Sequence, residues 1–155
     1  MKVSKQIIEL LIERDQSIAI AESLTAGLLM ATLVEVPGSS AVVGGGVVTY
    51  SPDAKIAVLG VNAELIAADG TVNAEVAEEM AVKVRDLFNS DYAISTTGVA
   101  GPGPFEGRQP GTVFVGIATP TGVESFRLQL NGGRNEVRRQ CVEHALDRIL
   151  ATLSS

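Results

Sequence analysis

The chain has 155 residues, 46% of them hydrophobic, and a mean hydropathy of +0.27. These values are typical of one compact globular domain with a sizeable core, and they exclude a disordered protein. A net charge of −6 and a pI of about 4.8 argue against general nucleic-acid binding, which usually needs a basic face.

The absence of a long apolar run or a signal peptide, and the low cysteine count, indicate where the protein is located. No apolar run reaches the roughly 18 residues of a membrane span, and the N-terminus leads into an amphipathic segment rather than a signal peptide. The single cysteine, Cys141, excludes an internal disulfide and is compatible with a reducing cytoplasm. We therefore expect a cytoplasmic protein that binds neither membrane nor nucleic acid.

Hydrophobic periodicity and turn residues divide the chain into helices and strands. In chain order, the pattern predicts a helix at Val3–Glu13, a strand at Ser17–Ala21, a helix at Ser23–Glu35, a strand at Val47–Tyr50, helices at Ser51–Leu59, Asn62–Ala68 and Glu75–Phe88, strands at Tyr92–Thr96, Thr112–Thr119 and Val123–Leu130, and a helix at Gly133–Leu153. The early alternation and the late hairpin predict an α/β fold in which residues 1–155 form one domain, a three-layer α/β/α sandwich with a mixed sheet.

The segment Ala21–Gly27 lies where the first predicted strand passes into a helix. Ser23 and Thr25 suit two roles there. A hydroxyl at such a position caps free backbone N–H groups. The same position also exposes a nucleophile beside a helix N-terminus, which stabilises negative charge. Caps are the commoner of the two. In the second role, backbone N–H groups of the Glu22–Thr25 turn would hold an oxyanion.

Elimination points to lysine as the base that would activate a serine. The only histidine, His144, lies deep in the last predicted helix, which disfavours a Ser-His-Asp triad and a histidine metal site. Lys55 stands near the start of a predicted helix among apolar neighbours. The helix dipole supplies only about 0.3–1 kcal/mol, whereas moving a lysine pKa from about 10.4 to near 7 takes roughly 4–5 kcal/mol, so burial must do most of it. A solvated helix lysine is the plain alternative. Tyr50 is a candidate proton relay between Ser23 and Lys55.

The stretch Gly98–Gly111 is unusual because it holds five glycines and three prolines. A plain surface connection and a ligand-facing loop are both compatible with this composition, since glycines let backbone N–H groups approach an anion closely. It is not a Walker loop, which would end in Gly-Lys-Ser or Gly-Lys-Thr.

Several motifs together resemble one family. Glu22–Gly27, Gly46–Ser51 with Lys55, Thr97–Pro102 and Gly111–Val113 are similar, in this order, to the C-terminal domain of the competence/damage-inducible protein CinA. That family includes the stand-alone nicotinamide-nucleotide amidase PncC. The resemblance runs from the first helix to the last. It implies hydrolysis of nicotinamide mononucleotide to nicotinate mononucleotide and ammonia, a step in pyridine-nucleotide recycling.

The resemblance also implies residue roles. Ser23 would be the nucleophile, assisted by Lys55 and Tyr50. The expected substrate-binding residues are Thr25, Gly46, Thr97, Gly98, Gly101, Arg134 and Arg138, of which the arginines suit an anionic substrate. The scheme needs no cofactor and no metal. We expect a small-molecule nucleotide as the partner and a homo-oligomer, because the family commonly self-associates.

Departures from the family pattern leave a second function open. They fall at Gly44–Gly45, Asn73, Gly101–Pro104, Arg108–Gly111 and Gly133. The loop changes bear on substrate affinity and phosphate contacts, so the alternative is a catalytically silent nucleotide-binding or regulatory module of the same fold. A role in DNA uptake fits poorly with the negative charge. Since the chain starts at the amidase-like part, only the deamidase activity is expected.

Overall fold

The computed structural model describes residues 2–155. Its elements in chain order are α1 (Val3–Arg14), β1 (Ile18–Glu22), α2 (Leu28–Val34), β2 (Val43–Val48), α3 (Pro52–Leu59), α4 (Ala63–Asp69), α5 (Ala74–Leu87), β3 (Tyr92–Gly98), β4 (Thr112–Thr119), β5 (Gly122–Gln129) and α6 (Arg134–Ser154). None of the helices in this part of the chain is long and apolar enough to cross a membrane.

The strands form one sheet in the order β2-β1-β3-β4-β5. Strand β1 is parallel to both of its neighbours, β2 and β3, whereas β4 is antiparallel to β3 and β5. The predicted mixed sheet is therefore confirmed. Because β2 and β3 lie on opposite sides of β1, the carboxyl ends of all three strands meet at one edge, where the strand order reverses.

Alternate residues of β1 serve the two faces of the sheet. Ile18 and Ile20 belong to a core shared with α1, α2 and α6, whereas Ala19 and Ala21 belong to a second core shared with α5. The small alanines leave room for α5 to pack close to the sheet. Helices on both faces give the three-layer sandwich that the sequence predicted.

Two element starts differ from the predictions by several residues. Strand β2 begins at Val43 rather than Val47, because pairing with β1 recruits its glycines into the sheet. Helix α2 begins at Leu28 rather than Ser23, because residues 23–27 form a separate turn in which Ala26 and Gly27 have positive φ. The later start of α2 separates the Ser23 turn from the helix that follows it.

Candidate active site

Three candidate residues lie at the carboxyl edge of the parallel strands. Ser23 is the first residue after β1, Lys55 lies in α3 just after β2, and Thr97 is near the end of β3. In open α/β sheets, ligands bind in the crevice at such an edge, where the strand order reverses. The topology thus brings together residues that are far apart in the sequence.

Lys55 and Ser23 are in direct contact inside the protein. Lys55 Nζ lies 2.9 Å from Ser23 Oγ and 2.8 Å from the carbonyl oxygen of Thr49. Lys55 is only 1% exposed. Burial lowers the pKa of Lys55 from 10.5 to about 8, and the charge of Glu106 opposes this by raising it. An unprotonated Nζ has a lone pair that accepts the Ser23 proton. The solvated alternative for Lys55 is therefore wrong.

The start of α3 fixes the position of Lys55. Ser51 Oγ accepts a hydrogen bond from the Ala54 N–H at 3.0 Å, and Pro52 occupies the first helical position, as predicted. The N–H of Lys55 donates to the Ser51 carbonyl at 3.1 Å. A helix that begins at a defined residue sends one side chain, that of Lys55, to the sheet edge.

The turn after β1 is held by buried hydroxyls and a carboxylate. The Ser23 N–H donates to Thr96 Oγ1 at 3.3 Å, and Thr25 Oγ1 lies 2.8 Å from the same oxygen. The Glu22 carboxylate caps α2 by accepting from the N–H groups of Leu29 and Met30 at 2.8 and 3.1 Å.

The prediction that Ser23 or Thr25 caps the helix is therefore wrong. The Glu22 carboxylate accepts hydrogen bonds from two N–H groups at the start of α2, so it is Glu22 that compensates the positive end of the dipole of this helix. The oxygen of Ser23 contacts Lys55 instead. This turn leaves the serine oxygen available for chemistry, which the capping role would not.

A cleft of about 340 Å³ opens above Ser23, a volume within the range of small-molecule sites. Its lining comprises Ser23, Leu24, Tyr50, Pro52, Thr71, Thr97–Gly101, Gly103–Phe105 and Arg134. The Gly98–Gly111 stretch is therefore more than a plain surface connection. Of the residues predicted to bind substrate, Thr97, Gly98, Gly101 and Arg134 line this cleft; their roles remain predictions.

Tyr50 forms part of the cleft wall with Arg134. The Arg134 guanidinium donates to the Tyr50 hydroxyl at 2.8 Å and to the Gly101 carbonyl at 2.7 Å. Because Lys55 reaches Ser23 directly, no phenol is needed between them. The geometry favours direct proton transfer over the candidate relay through Tyr50: the Tyr50 hydroxyl is held by Arg134, and the residue is 58% exposed at the cleft.

Three residues expected to bind substrate do not line the cleft. Thr25 is fully buried against Thr96. Gly46 lies in β2, where a Cβ would sit 2.6 Å from Met30 Cε and 2.8 Å from a backbone oxygen of β1, so this glycine serves packing. Arg138 donates to the carbonyls of Leu24 at 2.9 Å and Thr25 at 3.3 Å. It holds the backbone of the Ser23 turn, where we expected contact with an anion.

Sequence reasoning missed four side chains around the site. A carboxylate just ahead of a helix is a readable capping signal, and it was available for Glu22. Thr96, Thr71 and Glu106 gave no such signal, because their partners are 26 to 73 positions away in the chain. Only the folded sheet brings these groups to the edge.

Within residues 2–155, no group of three or more His, Cys, Asp and Glu side chains is placed to hold a metal ion. His144 is exposed on α6. The polar side-chain groups that line the cleft are hydroxyls and one guanidinium, that of Arg134.

Comparison with known proteins places the chain in a family. The model of the CinA C-terminal domain matches residues 1–153. A CinA-like protein from Frankia casuarinae is 40% identical over 148 residues, covering 96% of this chain and 34% of its own length. A protein from Streptococcus agalactiae named putative competence-damage inducible protein is 42% identical over 152 residues, which cover 97% of this chain and 36% of that protein. The chain thus spans about a third of the length of these relatives.

Solved structures agree with this assignment. The crystal structure of a CinA superfamily protein from Klebsiella pneumoniae has a TM-score of 0.94 and 32% identity, covering 98% of this chain and 96% of that one. The crystal structure of a competence/damage inducible protein from Agrobacterium tumefaciens has a TM-score of 0.94 and 33% identity, covering 99% of this chain and 94% of that one. The strand order, the motifs and these matches agree, and the chain belongs to the CinA C-terminal domain family.

Proposed function

We propose that this chain hydrolyses the carboxamide of nicotinamide mononucleotide to nicotinate mononucleotide and ammonia, with Ser23 as the nucleophile. The observation that carries the proposal is the 2.9 Å contact between Ser23 Oγ and the buried Lys55 Nζ. A serine needs a base to attack an amide, and a lysine with its pKa lowered to about 8 is one.

Acylation begins with transfer of the Ser23 proton to neutral Lys55. Ser23 Oγ attacks the carboxamide carbon and forms a tetrahedral intermediate with a negative oxygen. The Lys55 ammonium then gives its proton to the leaving nitrogen, and the C–N bond breaks to release ammonia. Water, deprotonated by Lys55, attacks the resulting ester, and the proton returns to Ser23. The first proton transfer uses the observed 2.9 Å contact between Lys55 Nζ and Ser23 Oγ.

The oxyanion would be held by backbone N–H groups of the Ser23 turn. Within residues 2–155, the N–H groups of Leu24 and Thr25 donate to no backbone acceptor. Arg138 binds the Leu24 carbonyl, and a trans peptide directs the Thr25 N–H to the opposite side. Arg138 therefore supports a fixed donor. Such a donor typically contributes about 3–4 kcal/mol to the transition state.

The cleft suits a flat ring that carries a phosphate. Tyr50 and Phe105 present exposed aromatic surface to it, and the peptide groups of 97–101 supply polar contacts. Arg134 is the cleft's guanidinium, and guanidinium groups bind phosphate in two-point geometry. We assign the carboxamide to the Ser23 end and the phosphate to the Arg134 end.

Ammonia release from nicotinamide mononucleotide tests the proposal. Ser23→Ala should abolish release, and Ser39→Ala, which alters an equally buried serine in the 3₁₀ turn before β2, should not. Calorimetry on the wild-type protein and both variants measures binding of the mononucleotide separately from its hydrolysis. If the wild-type protein binds the mononucleotide and releases no ammonia, the chain is the catalytically silent binding module. Unchanged turnover in Ser23→Ala would remove the serine from the mechanism.

A further inference from the structure

The loop between β3 and β4 is fastened to the turn between α4 and α5. The Glu106 carboxylate accepts hydrogen bonds from both the N–H and the Oγ1 of Thr71, the second at 2.8 Å. Two residues on, Arg108 Nε donates to the Val72 carbonyl at 3.1 Å, and its terminal nitrogen lies 3.5 Å from Asp69. We call the Glu106–Thr71 contact the clasp.

The backbone around the clasp is shaped to admit the carboxylate. A Cβ at Gly70 would sit 1.8 Å from Glu106 Oε2, and Gly70 has a φ of +72°, which side-chain-bearing residues rarely adopt. Glycine at this position therefore leaves the space that the Glu106 carboxylate fills. A contact that depends on two loops fitting so closely defines where both of them lie.

The clasp adjoins the cleft. Thr71 is 3% exposed and lines it, and its carbonyl accepts from Thr97 Oγ1 at 2.7 Å. Phe105, the neighbour of Glu106, is 50% exposed on the same wall. Fastening Glu106 to Thr71 therefore holds Phe105 and the adjoining loop against the end of β3.

The same carboxylate supplies the charge that acts on Lys55. Other charged groups on neighbouring elements are engaged or lie in solvent. They are Glu22, which caps α2; Asp53 and Glu64, which are exposed; Asp69, which faces Arg108; Glu79, which accepts from Asn62; and Arg134, which is bonded to Gly101 and Tyr50. Glu106 is the charged group whose field raises the pKa of Lys55, against its burial.

We propose that Glu106 is a positioning residue of this site, which fastens the 99–111 loop to Thr71 and so fixes where its carboxylate lies beside the cleft. This inference rests on the proposed function for its kinetic consequences only. Without Glu106, burial acts alone on Lys55, and the amine loses its proton at lower pH. The loop that carries Phe105 loses its attachment at the same time.

Two variants of Glu106 separate charge from attachment. Glu106→Gln keeps an acceptor for Thr71 but removes the charge, so the titration midpoint of Lys55 should fall by about half a pH unit or more. Glu106→Asp keeps the charge, so the midpoint should stay within about 0.2 of wild type while KM for the mononucleotide rises. Glu64→Gln removes one exposed charge on α4 and should change neither quantity.

The titration is measurable without catalysis. The chain has four lysines, so NMR of the lysine Nζ and Cε groups resolves Lys55, assigned by its loss in Lys55→Met. A Glu106→Gln midpoint equal to that of wild type would overturn the inference, whatever the activity. If Ser23→Ala loses ammonia release and the Lys55 midpoint in Glu106→Gln equals that of wild type, the proposed function stands and the role of Glu106 does not. If the wild-type protein releases no ammonia but the Lys55 midpoint falls in Glu106→Gln, the role of Glu106 stands and the proposed function does not.

Discussion

Replacing Lys55 with methionine should change how stability depends on pH. The pKa of Lys55 falls from 10.5 to about 8 on folding. Below pH 8 both states hold the proton, so the folded state bears the full cost of burying a charge. Between pH 8 and 10.5 the unfolded state binds more protons, and stability rises with pH by about 1.4 kcal/mol per unit. The whole rise amounts to about 3 kcal/mol.

A second buried group works in the opposite direction, so the two must be separated. Burial, with a smaller effect of Glu22, raises the pKa of the Cys141 thiol from 9.0 to about 12. Above pH 9 the unfolded chain therefore loses a proton that the folded chain keeps, and stability falls. In wild type the Lys55 gain stands clear of this effect only between pH 8 and 9.

Urea unfolding of wild type and Lys55→Met from pH 7 to 10.5 isolates the Lys55 contribution, because the Cys141 effect is common to both and cancels in the difference. Losing the Thr49 hydrogen bond shifts the difference by a constant, about 1–3 kcal/mol, without changing its slope. The difference should move in favour of wild type by about 3 kcal/mol between pH 8 and 10.5. If the difference in unfolding free energy does not change with pH, Lys55 keeps an ordinary pKa, and its assignment as the base is refuted.

Further predictions concern activity and local packing. The rate constant kcat/KM should rise about tenfold per pH unit below pH 8 and then level off, as measured by ammonia release across pH. Arg134→Met should raise KM by about 10–100-fold with a smaller change in kcat. Gly46→Ala should destabilise the protein by about 1–3 kcal/mol in urea, whereas Gly122→Ala, where a Cβ meets nothing within 4 Å, should stay near wild type. Glu22→Ala should lower stability by about 1–2 kcal/mol, because it uncaps α2.

Local signals carried most of the fold. The predicted helices at Glu75–Phe88 and Gly133–Leu153 agree with α5 and α6 to within one residue at each end, because amphipathic periodicity over many residues is a strong signal. The N-cap at Ser51 was equally readable. The start of strand β2 was not, because Gly44–Gly46 have low strand propensity and join the sheet by pairing with β1.

The site was predictable where chemistry limits the choice and not where geometry decides. Elimination selected Lys55 correctly as the buried lysine, since few other bases exist in the chain. Whether Tyr50 stands between Lys55 and Ser23 depends on a few ångströms across three elements, which no pattern in one segment encodes. The same holds for Arg138, whose side chain is bonded to a turn 113 residues earlier.

The two cores and the site are linked through β1. Its alternation sends isoleucines to one face and alanines to the other, where α5 packs, and the strand ends at Glu22, just before Ser23. Parallel pairing on both sides then requires the segments after β2 and β3 to arrive at the same edge. A lysine delivered there is almost fully buried, so its charge is disfavoured by the fold itself. The stability lost as the pH falls from 10.5 to 8 and the reactivity of the amine are therefore two consequences of a single burial.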